Sequence, residues 1–164
     1  MHKLTHERLI AVADYDPTTG RFTAKINRNR VKAGTILGTR HGNGYLVARI
    51  DGERFLLHRL AYFYMKGTWP KDEIDHRNLR KDENRFANLR EATRQLNAAN
   101  IGPQRNNPLG RKGVYVQNRK KRYRAQIKVD NRTIYLGSFK HSETASVFYA
   151  LAAMRHFGDF ARVA

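Results

Sequence analysis

EIDHRNLRKDENRFANLREATRQLN, residues 73–97, is the stretch on which the reading of the chain turns. It sets Asp75 beside His76, returns to Asn88-Leu89 12 positions after His76, and reaches Asn97 9 positions after that. Lys81 to Arg85 is a polar loop between them, and Thr93 has the side chain of an N-cap, which predicts a helix through Asn100. One by one these residues mean little. A lone histidine is more often packed than reactive, and asparagine is common in turns. The combination is specific: an imidazole, a carboxylate and two amides are spaced along a short segment closed by a capped helix. Neighbours on a strand point to opposite faces, so Asp75 and His76 serve one group only at an irregular strand end.

Upstream, Leu57, Leu60, Ala61 and Tyr64 recur at helical spacing, Gly67 stops that helix, and Trp69-Pro70 begins a turn. Residues 8–56 read as a small antiparallel β unit. Leu9 to Ala13 and Phe22 to Ile26 are predicted strands around the turn Tyr15-Asp16-Pro17-Thr18-Thr19-Gly20. Tyr45 to Ile50 and Arg54 to Leu57 follow, with turn signals at Gly42-Asn43-Gly44 and Asp51-Gly52. Downstream, residues 102–112 are a linker rich in Gly, Pro, Asn and Arg. Beyond it Gly113 to Gln117, Tyr123 to Val129 and Thr133 to Phe139 alternate as strands. A helix from Glu143 to His156 follows, with Ser142 as N-cap, Gly158 past its end, and Ala145, Phe148, Tyr149 and Ala152 as its apolar face. The fold class expected is α+β, with domains at 1–101 and 113–164 joined by the linker 102–112. Neither a repeat nor a low-complexity tract is present.

Lys and Arg total 32 of the 164 residues against 14 Asp and Glu, a formal charge of +18. Such an imbalance repels itself and is useful only toward a polyanion, which points to nucleic acid. No apolar run approaches the ~20 residues that span a bilayer, and Met1 to Glu7 lack the apolar stretch of a signal peptide. The chain has no cysteine, which removes disulfides, thiol catalysis and Cys-based zinc sites. The expected compartment is the cytosol, with no membrane and no protein partner inferred.

Against a polyanion, the segment 73–97 acquires a chemical meaning. Phosphodiester cleavage needs a base near neutral pH, and a divalent cation to neutralise charge on the leaving oxygen. Imidazole titrates at about 6.5, and carboxylate and amide oxygens are hard donors. The run His58-Arg59-Leu60-Ala61-Tyr62, with Ile74-Asp75-His76, Asp82-Glu83-Asn84-Arg85, Asn88 to Thr93 and Asn97, resembles the phage-type HNH homing endonucleases. The resemblance implies a ββα-metal core, two strands and a helix around one cation. It makes His76 the general base, Asn88 the residue orienting that histidine and bracing the loop, and Asp75 and Asn97 the metal ligands. Because the last member is Asn97 and not histidine, Mg²⁺ is the expected ion, with Mn²⁺ as substitute. His58 is expected to be structural; Arg59 is either a phosphate contact or a solvated helix charge.

Residues 110–160 resemble the AP2 DNA-binding domain, on Gly110 to Tyr115, Tyr123 to Ile127, Ile134 to Phe139 and Phe157 to Arg162. That family lays a three-stranded sheet into the major groove. Strand alternation independently puts Arg122, Arg124, Gln126 and Lys128 on one face and Tyr123, Ala125, Ile127 and Val129 on the other. A basic, amide-bearing face is suited to duplex DNA. Arg111, Lys112, Tyr115, Gln117 and Arg119 are further candidates, with Arg59 from the first domain. The expected activity is metal-dependent, site-specific cutting or nicking of DNA. The alternatives are a DNA-binding regulator whose HNH segment is inactive and, last, an RNA-binding protein.

Overall fold

The computed structural model describes residues 4–28, 30–117 and 122–163. It has two compact units, Met1–Ala92 and Thr93–Ala164.

The first unit opens with α1 (His6–Val12), capped by the Thr5 side chain, which accepts from the Arg8 amide at 3.2 Å. This corrects the strand expected over Leu9 to Ala13. The apolar run fits either period, and the Thr5 cap with Glu7 in the first turn decides for helix, burying Leu9 and Val12 on one side. The chain then turns extended into β1 (Ala13–Asp16), which pairs with β2 (Arg21–Ala24) in the register Ala13↔Ala24 to Asp16↔Arg21. A hairpin is thus present, but its first strand is displaced: Tyr15 and Asp16, expected in the turn, are strand residues. A short β3 (Ile36–Leu37) completes that sheet. A second sheet runs β4 (Thr39–Arg40), β5 (Leu46–Ile50), β6 (Glu53–Leu56). Asp51 and Gly52 take φ of 50° and 86° between the last two, the left-handed pair that a two-residue hairpin turn requires.

Helix α2 (Leu57–Lys66) buries Leu57, Leu60, Ala61 and Phe63, and ends at Gly67, whose φ of 71° lets its amide reach the Phe63 carbonyl at 2.9 Å. Strands β7 (Glu73–His76) and β8 (Leu89–Ala92) form an antiparallel pair, with Asp75 opposite Arg90 and His76 opposite Leu89. Leu9, Val12, Phe22, Ile50, Leu57, Leu60, Ile74 and Leu89 share one core. Each such side chain contributes about 1.5–3 kcal/mol on burial, which anchors β7 from below while its last residues carry polar groups.

The second unit opens with α3 (Arg94–Asn100), capped by Thr93 as expected. The sequence reading ends the first domain at 101. Yet Leu96 and Ala99 pack with Ile127, Tyr149, Ala153 and Phe157, so α3 shares the core of the following unit. Lys112 secures it. Its ammonium donates to the carbonyls of Ala98 (3.1 Å), Ala99 (2.6 Å) and Ile101 (2.5 Å), the groups a helix end leaves unsatisfied.

Three strands follow, β9 (Val114–Gln117), β10 (Arg122–Val129) and β11 (Arg132–Phe139), in the order β11-β10-β9 and all antiparallel. They correspond to the three predicted strands. A bulge shifts the register from Ala125↔Gly137 to Gln126↔Tyr135, leaving Leu136 without a ladder partner of its own. Helix α4 (Ser142–Phe157) packs Ala145, Tyr149, Ala153 and Phe157 inward. Phe148, expected on the apolar face, is 46% exposed and leans on Phe139 with ring centroids 4.6 Å apart; the helix turns it to the side of the sheet. Among the described residues no helix is long and apolar enough to cross a membrane.

Candidate active site

Strand β7 has polar side chains at a depth where apolar ones are usual. Asp75 and His76 are 2% and 4% exposed, at the strand end where the chain leaves for the loop 77–88. Burying an unpaired polar group would cost several kcal/mol, and the local folding supplies partners. The Arg90 Nε, directly across the ladder, donates to Asp75 Oδ2 at 2.8 Å. His76 Nε2 lies 3.2 Å from Asn84 Oδ1. Burial is the main cause that holds the His76 imidazole below its ordinary pKa, opposed by the Asn84 contact and by Asp75, Asp82 and Glu83. The ring is therefore neutral near pH 7, the state a proton acceptor needs.

His58, in the first turn of α2, stands edge-on to His76 with ring centroids 5.1 Å apart, and Tyr45 packs on both rings at 4.9 and 5.9 Å. Its pKa is pushed down to about 3, by burial first and then by His76 and Arg59. A permanently neutral His58 forms an uncharged wall beside His76.

Asn88 braces the loop. Its Oδ1 accepts from the Asn78 amide at 3.1 Å and its Nδ2 donates to the Glu83 carbonyl at 2.8 Å. A side-chain contact to His76 Nε2 comes from Asn84, which is 2% exposed, and not from Asn88. The sequence reading gave both jobs to Asn88. Asn84 stood in view within Asp82-Glu83-Asn84-Arg85, but a loop asparagine carries no periodic signal of burial.

Arg59 is engaged at home: Nη1 donates to the Asp72 carbonyl at 2.9 Å and Nη2 to that of Pro70 at 3.2 Å, pinning the turn before β7. Asn97 lies on α3, in the second unit. Asp75 carries a carboxylate and Asn97 an amide oxygen, each by itself a hard donor. Among the described residues no cluster of three His, Cys, Asp or Glu side chains forms a metal cage.

Residues 55–99 match the family model described as HNH endonuclease. That match supports a nuclease, and the family's substrate is DNA. No curated protein matches the chain. The HNH segment runs from Phe55 on β6 to Ala99 on α3, and so contains Asp75, His76, Asn84, Asn88 and Asn97 together.

The second unit presents a different kind of surface. Cross-strand pairs Arg122↔Gln117, Arg124↔Tyr115, Gln126↔Tyr135 and Lys128↔Thr133 place these side chains on one sheet face. Ala125 and Ile127, with the opposite alternation, are buried. Tyr115 is 48% exposed, and the Arg124 guanidinium lies 5.7 Å from its ring centroid. The Nε of Arg124 is without a hydrogen-bond partner among the described residues. Arg122 donates to the Ser138 carbonyl at 2.7 Å, and Gln117 accepts from the Ser138 hydroxyl at 2.8 Å. Tyr135, 60% exposed, joins the face; the sequence reading did not include it among the site residues. Arg111 pairs with Glu143 at 2.7 Å. Lys112, expected at DNA, is directed inward onto the end of α3, and burial brings its pKa down to about 8. Arg119 lies outside the described residues.

Proposed function

We propose that the chain is a site-specific DNA endonuclease of the homing type, in which the HNH segment hydrolyses one phosphodiester bond and the AP2-like sheet of the second unit selects the site. The observation that carries this reading is the adjacency of Asp75 and His76, both buried at one strand end, inside the segment that matches the HNH endonuclease model. His76 takes a proton from water as the water oxygen bonds to phosphorus, and the P–O bond to the departing sugar oxygen breaks. Asp75 and Asn97 would hold Mg²⁺, or Mn²⁺ in its place, and the bound ion would neutralise charge on the phosphate and departing oxygen. Asn88 keeps the loop in shape beside the reacting group. On the sheet, Tyr115, Gln117, Arg122, Arg124, Gln126 and Lys128 face the duplex. Arg59 and Lys112 serve the protein's own carbonyls and are not part of that face. The source would be a phage or similar mobile element acting in a host cytoplasm.

One observation favours a second reading, a DNA-binding regulator with an inactive HNH segment: Asp75 already carries an ion pair with Arg90. Plasmid cutting separates the two. The endonuclease reading expects nicks or breaks with Mg²⁺, none with EDTA, and a loss of about 10²–10⁴-fold for His76→Ala with duplex binding kept. Tight binding with no cutting by the unaltered chain supports the regulator, and cutting indifferent to His76→Ala overturns the mechanism.

A further inference from the structure

One side chain of the candidate active site comes from outside the segment that matches the HNH endonuclease model. Tyr45 follows the turn 41–44 between β4 and β5, ahead of residues 55–99. That turn is fastened to the loop 77–88. The Arg40 Nη2 donates to Asp82 Oδ2 at 2.6 Å, and the Lys81 ammonium donates to the Asn43 carbonyl at 3.2 Å. The Tyr45 ring is thereby laid against His58 and His76, with the Lys81 Nζ 5.0 Å from its centroid. A phenylalanine would wall off the two imidazoles equally well, so packing does not explain the hydroxyl. The Tyr45 amide donates to Asn43 Oδ1 at 3.4 Å and its carbonyl accepts from the His41 amide at 2.8 Å. Its hydroxyl makes no hydrogen bond among the described residues. Burial first, and then the charges of Glu73 and Asp75, raise the pKa of that hydroxyl. Charge acts with such effect only at short range, so the hydroxyl is on the side of the ring where β7 presents its carboxylates.

We propose that Tyr45 is a further residue of the cutting site: its hydroxyl donates to a non-bridging oxygen of the phosphate under attack, with the Lys81 ammonium as the cation beside that oxygen. This rests on the reading of His76 as the base that activates water. A phosphate that comes up to His76 also comes up to Asp75 and Glu73, whose charges oppose it. Donors from the chain itself offset that repulsion. Phenol titrates at about 10, and the neighbouring carboxylates move it further up, so the hydroxyl stays protonated and donates. Lys81 has an ammonium with donors to spare beyond the one used on Asn43. As the water oxygen bonds to phosphorus, negative charge grows on the non-bridging oxygens, and a donor already in place binds more strongly. The hydroxyl keeps its proton throughout. His76 takes the proton from water, and the P–O bond to the departing sugar oxygen breaks. The ring, packed on His58 and His76, fixes where the hydroxyl reaches.

The experiment is single-turnover cutting of plasmid DNA by the full chain with Mg²⁺, at saturating protein, with duplex affinity measured separately in EDTA. Tyr45→Phe keeps the ring and removes the hydroxyl. It should lower the cutting rate by about 10²-fold, the scale of one donor lost at a developing charge. Duplex affinity, thermal melt and the midpoint of the acid limb of the pH profile should not change. Lys81→Met should lower the rate at least about tenfold, and Lys81→Arg should restore most of it. A ring that only packs gives another pattern: full rate in Tyr45→Phe and a loss confined to Tyr45→Leu. That pattern overturns the proposal, as does a shifted acid midpoint in Tyr45→Phe, which would mean that the hydroxyl acts through His76. If Tyr45→Phe does not fold, judged by its melt, Lys81→Met decides, and full-rate cutting by it overturns the proposal. Full-rate cutting by His76→Ala beside slow cutting by Tyr45→Phe removes the base reading and leaves Tyr45 in place. The opposite pattern removes the Tyr45 assignment alone, and a chain that binds duplex and cuts nothing removes both.

Discussion

The two units use polar side chains in opposite directions. In the first, Asp75, His76, Asn84 and Asn88 are turned inward and answered by Arg90, by one another and by loop backbone. In the second, Tyr115, Arg124, Gln126, Lys128 and Tyr135 stand on a sheet face whose reverse is packed on α4. On the proposed function, the difference separates the reacting groups from the surface that meets DNA. A group that must hold one protonation state and one geometry gains from a dry, fully bonded setting. A surface that must meet a long polyanion gains from charges and rings with freedom to adjust.

Salt breaks this comparison most strongly. If about 8 phosphates are contacted, log affinity should fall with a slope of about −7 against log salt, a loss of about 10⁴ between 50 and 200 mM. Single-turnover cutting of DNA that is already saturated should hardly change, because the inward groups are shielded. A titration of binding and cutting over the same salt series checks both arms, and equal sensitivity would mean that the two units do not divide the labour.

Acid should reveal the inward set next. The His76 pKa is depressed by burial, so the folded ring stays neutral to a lower pH than free imidazole. Cutting should be level across pH 6.5, the ordinary value, and fall about tenfold per unit only below the depressed pKa. A single-turnover pH profile measures this, and an acid limb above the ordinary value contradicts the burial. Smaller still is the contrast between two side chains. Asn88→Ala leaves the Asn78 amide and Glu83 carbonyl without their partner and should cost about 1–3 kcal/mol in a denaturant titration. Lys128→Ala, on the exposed face, should stay within about 0.5 kcal/mol while lowering the salt slope by about 1.

A pH-dependent contrast is expected at Lys112. Its folded pKa is lowered to about 8 from 10.5, so between those values the unfolded chain binds more protons than the folded one. Stability should therefore rise with pH across that window and be flat below it. Denaturant melts of the chain and of Lys112→Met over that range would show whether the slope belongs to Lys112.

Much of this was legible in the residues alone. Period-2 alternation placed all three strands of the second unit and the faces of β10, because burying Ala125 and Ile127 on α4 forces Arg124 and Gln126 to the other side. Spacing and resemblance brought Asp75, His76, Asn88 and Asn97 into one segment, and the family match covers that segment. Helix α1 was misread because Leu9 to Ala13 suit either period and the Thr5 cap decides.

What only tertiary structure decided was the partner of each polar atom. Asn84 in place of Asn88 at His76, Arg59 turned to the Pro70 and Asp72 carbonyls, and Lys112 on the end of α3 are contacts between residues distant in sequence or hidden in loops. Hydrophobic burial repeats along a strand or helix and so leaves a pattern in the sequence. A hydrogen bond is a single event between two atoms, and its partner is known only once the chain has closed around it.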